Sequence, residues 1–247
     1  MNRGNLAAEE SEMKQPSIRR VALGFRAHSG WAAMVALSDP LDAPTILDRR
    51  PIEIADANLA GSKQPFHAAQ PLDLTEAEKL IATCVEASVQ LARKAVAAAI
   101  DDIMRKGYRV SGSGILTGSG RALPTLEKIL SSHPLLHTAE GELFRNAVAA
   151  ACRNSGLSVT SVKEKEVLFQ SASVLGISER AIQQHLVRMG ESVGPPWRQD
   201  EKLATLVAWV ALAAEIHGIG NRNISTPTKQ SELQSHTGIR KHGIKSC

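Results

Sequence analysis

Residues 21–37 read VALGFRAHSGWAAMVAL, two apolar runs on either side of the polar segment His28-Ser29-Gly30. Apolar runs of this length that are separated by a glycine-containing turn are typical of two paired strands. We therefore expect a strand over Val21–Ala27 and an antiparallel partner over Trp31–Leu37.

The rest of the chain alternates between extended and helical patterns. Thr45–Ile54 predicts a third antiparallel strand, and 55–72 predicts a long loop. Thr75-Glu76-Ala77-Glu78 has the pattern of a capping box and predicts the start of a helix that ends at Gly107. The later predicted elements are a strand over Val110–Thr117, a short helix over Leu123–Leu130, a helix over Ala139–Asn154, a strand over Leu157–Val162, a helix over Glu164–Leu175, a helix from the cap Ser178 to Met189, and a final helix over Leu203–Ile216 that Asp200 begins.

This order predicts one α/β domain over residues 18–217, with a mixed sheet flanked by helices. Residues 1–17 are polar and without periodicity, so we expect a flexible N-terminal arm there. Residues 218–247 are rich in Asn, Ser, Thr, Gly and Lys and predict a disordered, basic tail. The formal net charge of the chain is +4, and the charges of this tail account for all of it. The charge balance therefore does not indicate a basic face on the folded body.

Composition limits the class of protein. With 43% hydrophobic and 3% aromatic residues, the core must be built mainly from Ala, Val, Leu and Ile. The longest apolar stretch, Leu203–Ala214, is much shorter than the roughly 20 residues that cross a bilayer. No N-terminal segment resembles a secretory signal, so we expect a cytoplasmic protein without a membrane partner. The cysteines have no metal-type spacing, and Cys84 and Cys152 lie on predicted apolar helical faces.

Four later segments carry a resemblance to a known family. Glu140-Gly141-Glu142-Leu143-Phe144 opens a helix, and Gly156-Leu157-Ser158-Val159 leads into a strand. Ala181 to Leu186 lies in a helix that precedes Asp200-Glu201-Lys202-Leu203-Ala204, the start of an Ala-rich final helix. With the opening hairpin, this order resembles the ribonuclease H-like superfamily, and most closely its Holliday-junction-resolvase (RuvC-like) branch. The resemblance implies a sheet with three antiparallel strands followed by parallel strands.

The resemblance also implies a chemistry, phosphodiester hydrolysis by two divalent metal ions that carboxylates hold. By position, Glu140 or Glu142 would supply the acid after the fourth strand and Asp200 an acid at the last helix. The superfamily places a further metal-binding aspartate near the middle of the first strand, where this chain has Phe25 or Arg26. An arginine there opposes the charge of a metal ion. We therefore expect a nucleic-acid- or protein-binding module without the standard metal-nuclease activity.

Two alternatives remain open at this point. The first is a Mg²⁺- or Mn²⁺-dependent nuclease with Glu140, Glu142 and Asp200 as catalytic residues. The second is a phosphate- or nucleotide-binding protein that uses Gly118-Ser119-Gly120-Arg121, a glycine-containing loop between a predicted strand and a short helix. That loop lacks the sequence of a P-loop or a dinucleotide fingerprint, so a simple tight turn also explains it.

The candidate site residues also have structural explanations. Glu140 and Glu142 favour the first turn of a helix through the helix dipole, and Asp200 is a typical N-cap. His137 precedes Glu140 by three residues, which on a helix would bring them together as a metal or acid–base pair. Arg26, at the end of the first strand, is placed to pair with Glu140 or Asp200. The predicted binding surface consists of Arg26, His28, His137, Glu140, Glu142, Arg198 and Asp200.

Overall fold

The structure, a computed structural model, describes residues 19–218 and contains a five-stranded mixed sheet. Its strands are β1 (Arg20–His28), β2 (Trp31–Ser38), β3 (Thr45–Glu53), β4 (Arg109–Thr117) and β5 (Ser158–Lys163). The order across the sheet is β3-β2-β1-β4-β5. The pairs β1–β2 and β2–β3 are antiparallel, and the pairs β1–β4 and β4–β5 are parallel. The predicted mixed sheet, with three antiparallel strands followed by parallel strands, is confirmed, and β1 lies at its centre.

Helices cover both faces of this sheet. They are α1 (Pro65–Ala69), α2 (Leu74–Arg105), α3 (Leu126–Leu130), α4 (His133–Asn154), α5 (Val167–Leu175), α6 (Glu179–Val193) and α7 (Gln199–Ile216). On one face, side chains of α2 and α4 form a core with β1 and β2. On the other face, α5, α6 and α7 form a second core. One 3-10 turn, Glu164–Glu166, links β5 to α5.

The last helix lies directly on the middle of the sheet because two strand glycines allow it. A Cβ at Gly24 would overlap the carbonyl oxygen of Ala204 and lie 2.7 Å from the backbone nitrogen of Ala208. A Cβ at Gly114 would overlap the carbonyl oxygen of Val207 in the same way. Only glycine permits such a close approach of helix backbone to strand backbone. The contact fixes α7 across β1 and β4, and with it the position of Asp200.

Several predicted boundaries were wrong, and local capping explains two of them. Helix α2 begins one residue before Thr75, because the side chain of Asp73 accepts the hydrogen bond from Glu76 N at 2.9 Å. Helix α4 begins at His133, six residues earlier than predicted, with Pro134 in its first turn. The predicted loop over 55–72 contains the short helix α1.

Other sequence-based expectations concern the cysteines and the chain termini. Cys84 and Cys152 are buried as predicted, and burial raises the pKa of Cys152 to about 11. Within residues 19–218 no helix combines the length and hydrophobicity that crossing a membrane requires. The predicted arm over 1–17 and, apart from Gly218, the predicted tail over 218–247 lie outside the described residues.

Candidate functional site

Four polar side chains meet where β1 ends. The guanidinium of Arg26 donates to both carboxylate oxygens of Glu164, from Nε at 3.1 Å and from Nη2 at 2.9 Å. Arg26 Nη1 also pairs with Oδ1 of Asp200. The same oxygen lies 2.8 Å from Nε2 of His28, whose ring stacks on Trp31 with centroids 4.5 Å apart. One arginine therefore bridges two carboxylates, and a histidine completes the network.

The fold brings these residues together from distant parts of the chain. Side chains alternate between the faces of a strand, so Arg26 and His28 point to the same face as Gly24, the face that α7 covers. Asp200 lies in the first turn of α7, and Glu164 directly follows β5. Because β1 and β5 both run parallel to β4, their carboxyl ends meet at one edge of the sheet. Ligand sites of α/β sheets commonly lie at that edge.

The contacts of the network stabilise the charged forms of Arg26 and Asp200. The side chains of Arg26 and Asp200 are 22% and 23% exposed, so their attraction is only partly screened by water. Hydrogen bonding to Glu164 is the largest influence on Arg26 and raises its pKa. Burial alone would raise the pKa of Asp200, but hydrogen bonds from His28 and Arg26 outweigh it and lower that pKa. Arg26 and Asp200 therefore form a pair of ionised groups at neutral pH.

A cavity of about 410 Å³ opens beside Arg26 at this edge. Its lining is formed by the ends of three strands and by α4: Arg26, Ala27, Leu116, Thr117, Gly118, Ser119, Arg145, and Lys163 to Glu166. Arg145 fits closely against the helix backbone, since a Cβ at Gly141 would lie 2.9 Å from its Nη1. Four cationic side chains thus line the cavity, against two carboxylates in the lining, and Asp200 and Glu142 pair with Arg26 and Arg145 beside it. Among the described residues Lys165 forms no ion pair, and Lys163 pairs with Glu166 at 3.0 Å.

The structure brings together only part of the predicted site. Arg26, His28 and Asp200 meet, including the predicted ion pair of Arg26 with Asp200. Asp200 is not the N-cap that we expected. Helix α7 begins at Gln199 after the cap residue Arg198, whose backbone N–H donates to Glu201 at 2.8 Å. The side chain of Asp200 is therefore directed to β1 instead of to its own helix.

The predicted acidic residues on α4 have other partners. Glu142 pairs with Arg145 at 3.1 Å, beside the cavity. Glu140 is 1% exposed and contacts His67 of α1 at 2.8 Å. No ion pair or hydrogen bond within residues 19–218 joins either glutamate to Asp200. The catalytic role of Glu140, Glu142 and Asp200 therefore stays a prediction.

The remaining predicted residues lie apart from this network. His137 packs against His67 and His133, with ring centroids 4.7 and 4.5 Å away. Arg198 is exposed, and its neighbour Trp197 donates to the carbonyl oxygen of Leu186 at 3.0 Å, which fixes the indole in the fold. A larger cavity, of about 750 Å³ between α6 and α7, has a mainly apolar lining and contains no member of the network.

Sequence reasoning did not identify Glu164, Arg145, Lys163 or Lys165 as site residues. One signal was present for Glu164, because an acidic residue directly after a parallel strand lies at the ligand-binding edge of such a sheet. His67 lies in a segment read as loop, and nothing in its surroundings predicted its contact with Glu140.

The resemblance to metal-dependent nucleases raises the question of whether Mg²⁺ or Mn²⁺ fits this edge. Such ions require several oxygen ligands with free lone pairs. Here the guanidinium of Arg26 takes up both oxygens of Glu164 and one of Asp200. A fixed positive charge in this place also repels a cation. The residues at this edge do not fit a divalent metal centre.

Comparisons with known proteins give a distant structural likeness. No protein-family model matches the chain, and no curated protein does. Thermus thermophilus RuvC in complex with a Holliday junction substrate is 10% identical with a TM-score of 0.46. A further structure of T. thermophilus RuvC is 9% identical with a TM-score of 0.44. Each alignment covers 81% of this chain and 98% of the RuvC chain.

Proposed function

We propose that this chain is a nucleic-acid-binding domain of ribonuclease H-like fold that does not hydrolyse its ligand by the two-metal mechanism. The observation that supports this is the cavity at the carboxyl edge of the sheet, which is lined by two arginines and two lysines, with Arg26 held between Glu164 and Asp200. In this position Arg26 supplies a fixed positive charge where the superfamily uses metal ions.

The chemistry of the cavity favours a phosphate backbone as the ligand. Arg145 and Lys165 present donors that suit phosphate oxygens, and Lys163 adds a third charge. The cavity also borders Gly118 and Ser119, part of the loop considered above as a phosphate site. That loop does not lead directly into a helix, since α3 begins only at Leu126. Side-chain cations therefore carry the proposed contact, and the amides of a helix start do not.

The proposal is tested by measuring DNA binding with fluorescence anisotropy over a series of salt concentrations. The probes are a labelled four-way junction and a duplex of equal length. We expect the Lys163→Gln, Lys165→Gln double variant of the full chain to bind more weakly. Log affinity falls linearly with log salt concentration, and each lost phosphate contact makes this slope less steep by about one. The slope of the double variant is therefore expected to be less steep by about two.

A matched control separates this cavity from general charge effects. Lys79 and Lys94 are exposed on α2, and replacing both with glutamine removes the same charge as the test variant. Both variants keep the basic tail. Equal losses of DNA affinity in the two variants would contradict the proposal that DNA binds at the cavity. Cleavage of either DNA in Mg²⁺ or Mn²⁺ would contradict the non-hydrolytic part and support the nuclease alternative. Competition by free nucleotide at equal phosphate concentration would assign the cavity to the nucleotide-binding alternative.

A further inference from the structure

Three histidines form a cluster that the proposed function does not use. His133 and His137 are four residues apart in α4 and therefore lie on one face of that helix. His67 reaches them from α1. One ring nitrogen from each lies within 4.8 Å of the other two. The side chain of His67 is half-buried, whereas His133 and His137 are exposed.

The orientation of His67 is fixed by Glu140. Oε1 of Glu140 lies 2.8 Å from Nδ1 of His67 and also accepts the backbone N–H of His67 at 3.2 Å. Because Oε1 is the acceptor for the backbone N–H, we infer that it also accepts from the ring and that Nδ1 carries the proton in this contact. The lone pair of a neutral imidazole is then on Nε2. Metal-binding histidines are commonly held in this way by a carboxylate on the second ring nitrogen.

The carboxylate of Glu140 also lacks a full set of partners. It is 1% exposed, and its Oε2 is buried without a hydrogen bond. Within residues 19–218 the side chain that contacts it is His67, and no lysine or arginine pairs with it. A buried carboxylate is costly unless a positive charge compensates it. A cation bound to His67 would provide that charge through the imidazole.

We propose that His67, His133 and His137 bind a Zn²⁺ ion, with Glu140 as the residue that positions His67. Imidazole nitrogen suits Zn²⁺ and neighbouring transition metals, whereas Mg²⁺ prefers oxygen. Zinc–nitrogen bonds of about 2.0–2.1 Å in a tetrahedral site place the ligand nitrogens about 3.4 Å apart. The rings of His133 and His137 are exposed and free to close to that spacing. Three histidines leave a fourth position, which opens to solvent because two of the ligands are exposed.

The test uses the full chain and measures both Zn²⁺ affinity and thermal stability. Affinity is measured by competition with a chromogenic chelator, and the unfolding midpoint Tm is measured with and without Zn²⁺. We expect one ion per chain and a saturable rise in Tm of roughly 5–10 °C at a hundredfold excess over Kd. The His133→Gln, His137→Gln variant should lose both effects. Since both side chains are exposed, this variant is expected to fold.

The tail requires its own control, because it contains His236, His242 and Cys247. A His236→Gln, His242→Gln variant should keep the affinity and the rise in Tm. The proposal would be overturned if the tail variant lost Zn²⁺ affinity. It would also be overturned if Zn²⁺ still raised the Tm of the variant without His133 and His137.

The role of Glu140 is tested with Co²⁺ in place of Zn²⁺. Tetrahedral Co²⁺ has intense visible d–d absorption that depends on its ligands. A substitution that changes only the stability of the fold does not shift this absorption. We expect Glu140→Gln to weaken metal affinity about 10–100-fold and to shift this absorption. An unchanged affinity and spectrum in a folded Glu140→Gln variant would exclude the positioning role. The DNA-binding test above depends on other residues, so each proposal can fail without the other.

Discussion

Two carboxylate–imidazole contacts of equal length lie in different surroundings in this molecule. At the carboxyl edge of the sheet, Asp200 lies 2.8 Å from Nε2 of His28. Between α1 and α4, Glu140 lies 2.8 Å from Nδ1 of His67. Asp200 also pairs with Arg26, whereas Glu140 has no arginine or lysine partner among residues 19–218. The two regions therefore differ in whether a permanent cation is already present.

That difference determines which ligand each region suits. A guanidinium stays charged at every physiological pH, so Asp200 needs no further cation. With Arg145, Lys163 and Lys165 nearby, the sheet edge suits an anion. Glu140 is more deeply buried, and within residues 19–218 its side-chain partner is an imidazole, so its region suits a cation. The same pair of residue types thus leads to opposite expectations, and three substitutions test the contrast.

The largest effect is expected from Gly24→Ala, which should disrupt the sheet edge. Its Cβ would overlap backbone atoms of α7, so the helix must move away from β1. We expect a loss of about 3 kcal/mol in the free energy of unfolding, measured with urea. At Gly112 the nearest atom to an added Cβ is the flexible side chain of Glu215, at 2.8 Å. Gly112→Ala is the matched control, and an equal loss there would contradict the argument. If Gly24→Ala folds, Zn²⁺ should still raise its Tm, because α1 and α4 lie on the other face.

Arg26→Gln should leave Asp200 in the situation of Glu140, with an imidazole partner and no arginine. Asp200 and Glu164 would lose their shared cation, and we expect the free energy of unfolding to fall by about 2 kcal/mol. The freed carboxylates should then bind Mn²⁺, so Mn²⁺ should raise the Tm of the variant more than that of the native chain. The experiment is done in the His133→Gln, His137→Gln background, so that the histidine cluster does not contribute.

A surface ion pair provides the comparison for that result. Arg105 pairs with Asp102, but its side chain is 74% exposed. Arg105→Gln should therefore change stability by less than about 0.5 kcal/mol and give no response to Mn²⁺. A Tm of Arg26→Gln that does not respond to Mn²⁺ would show that the arginine is not what keeps metal ions from this edge.

The smallest effect is the pH dependence that Asp200 contributes. Its pKa in the folded chain is below the ordinary value of 3.8, so its ion pairs stabilise the fold above that value. The stabilisation is lost as the pH falls through the lowered pKa. We expect Asp200→Asn to be about 1 kcal/mol less stable than the native chain at pH 7 and to approach it at strongly acidic pH. Asp101→Asn, an exposed change on α2, should show no such convergence. A difference in stability between Asp200→Asn and the native chain that stays constant from pH 7 to acidic pH would contradict the lowered pKa of Asp200.

Much of the fold was predictable because strand and helix patterns depend on near neighbours. The apolar run Val21–Ala27 is followed by a turn and by a second apolar run, so the hairpin was predictable from local sequence alone. Helix starts were less predictable, because several nearby residues are able to cap. Asp73 caps α2 in place of Thr75, and Arg198 precedes α7 in place of Asp200. A local rule does not decide between neighbouring caps, and at α7 the side chain of Asp200 contacts Arg26 and His28 of β1 instead.

The sequence by itself determined the order of strands and helices along the chain and the placement of Arg26 in the first strand. The partners of the charged groups were decided only by the tertiary structure. Arg26 meets residues 138 and 174 positions away, and His67 meets a glutamate 73 positions away. Backbone periodicity is set within a few residues, whereas an ion pair depends on where parallel strands end and on which helix the glycines allow to approach. For that reason the sequence identified Arg26 and Asp200 separately, and only the packing of α7 on β1 brought them together.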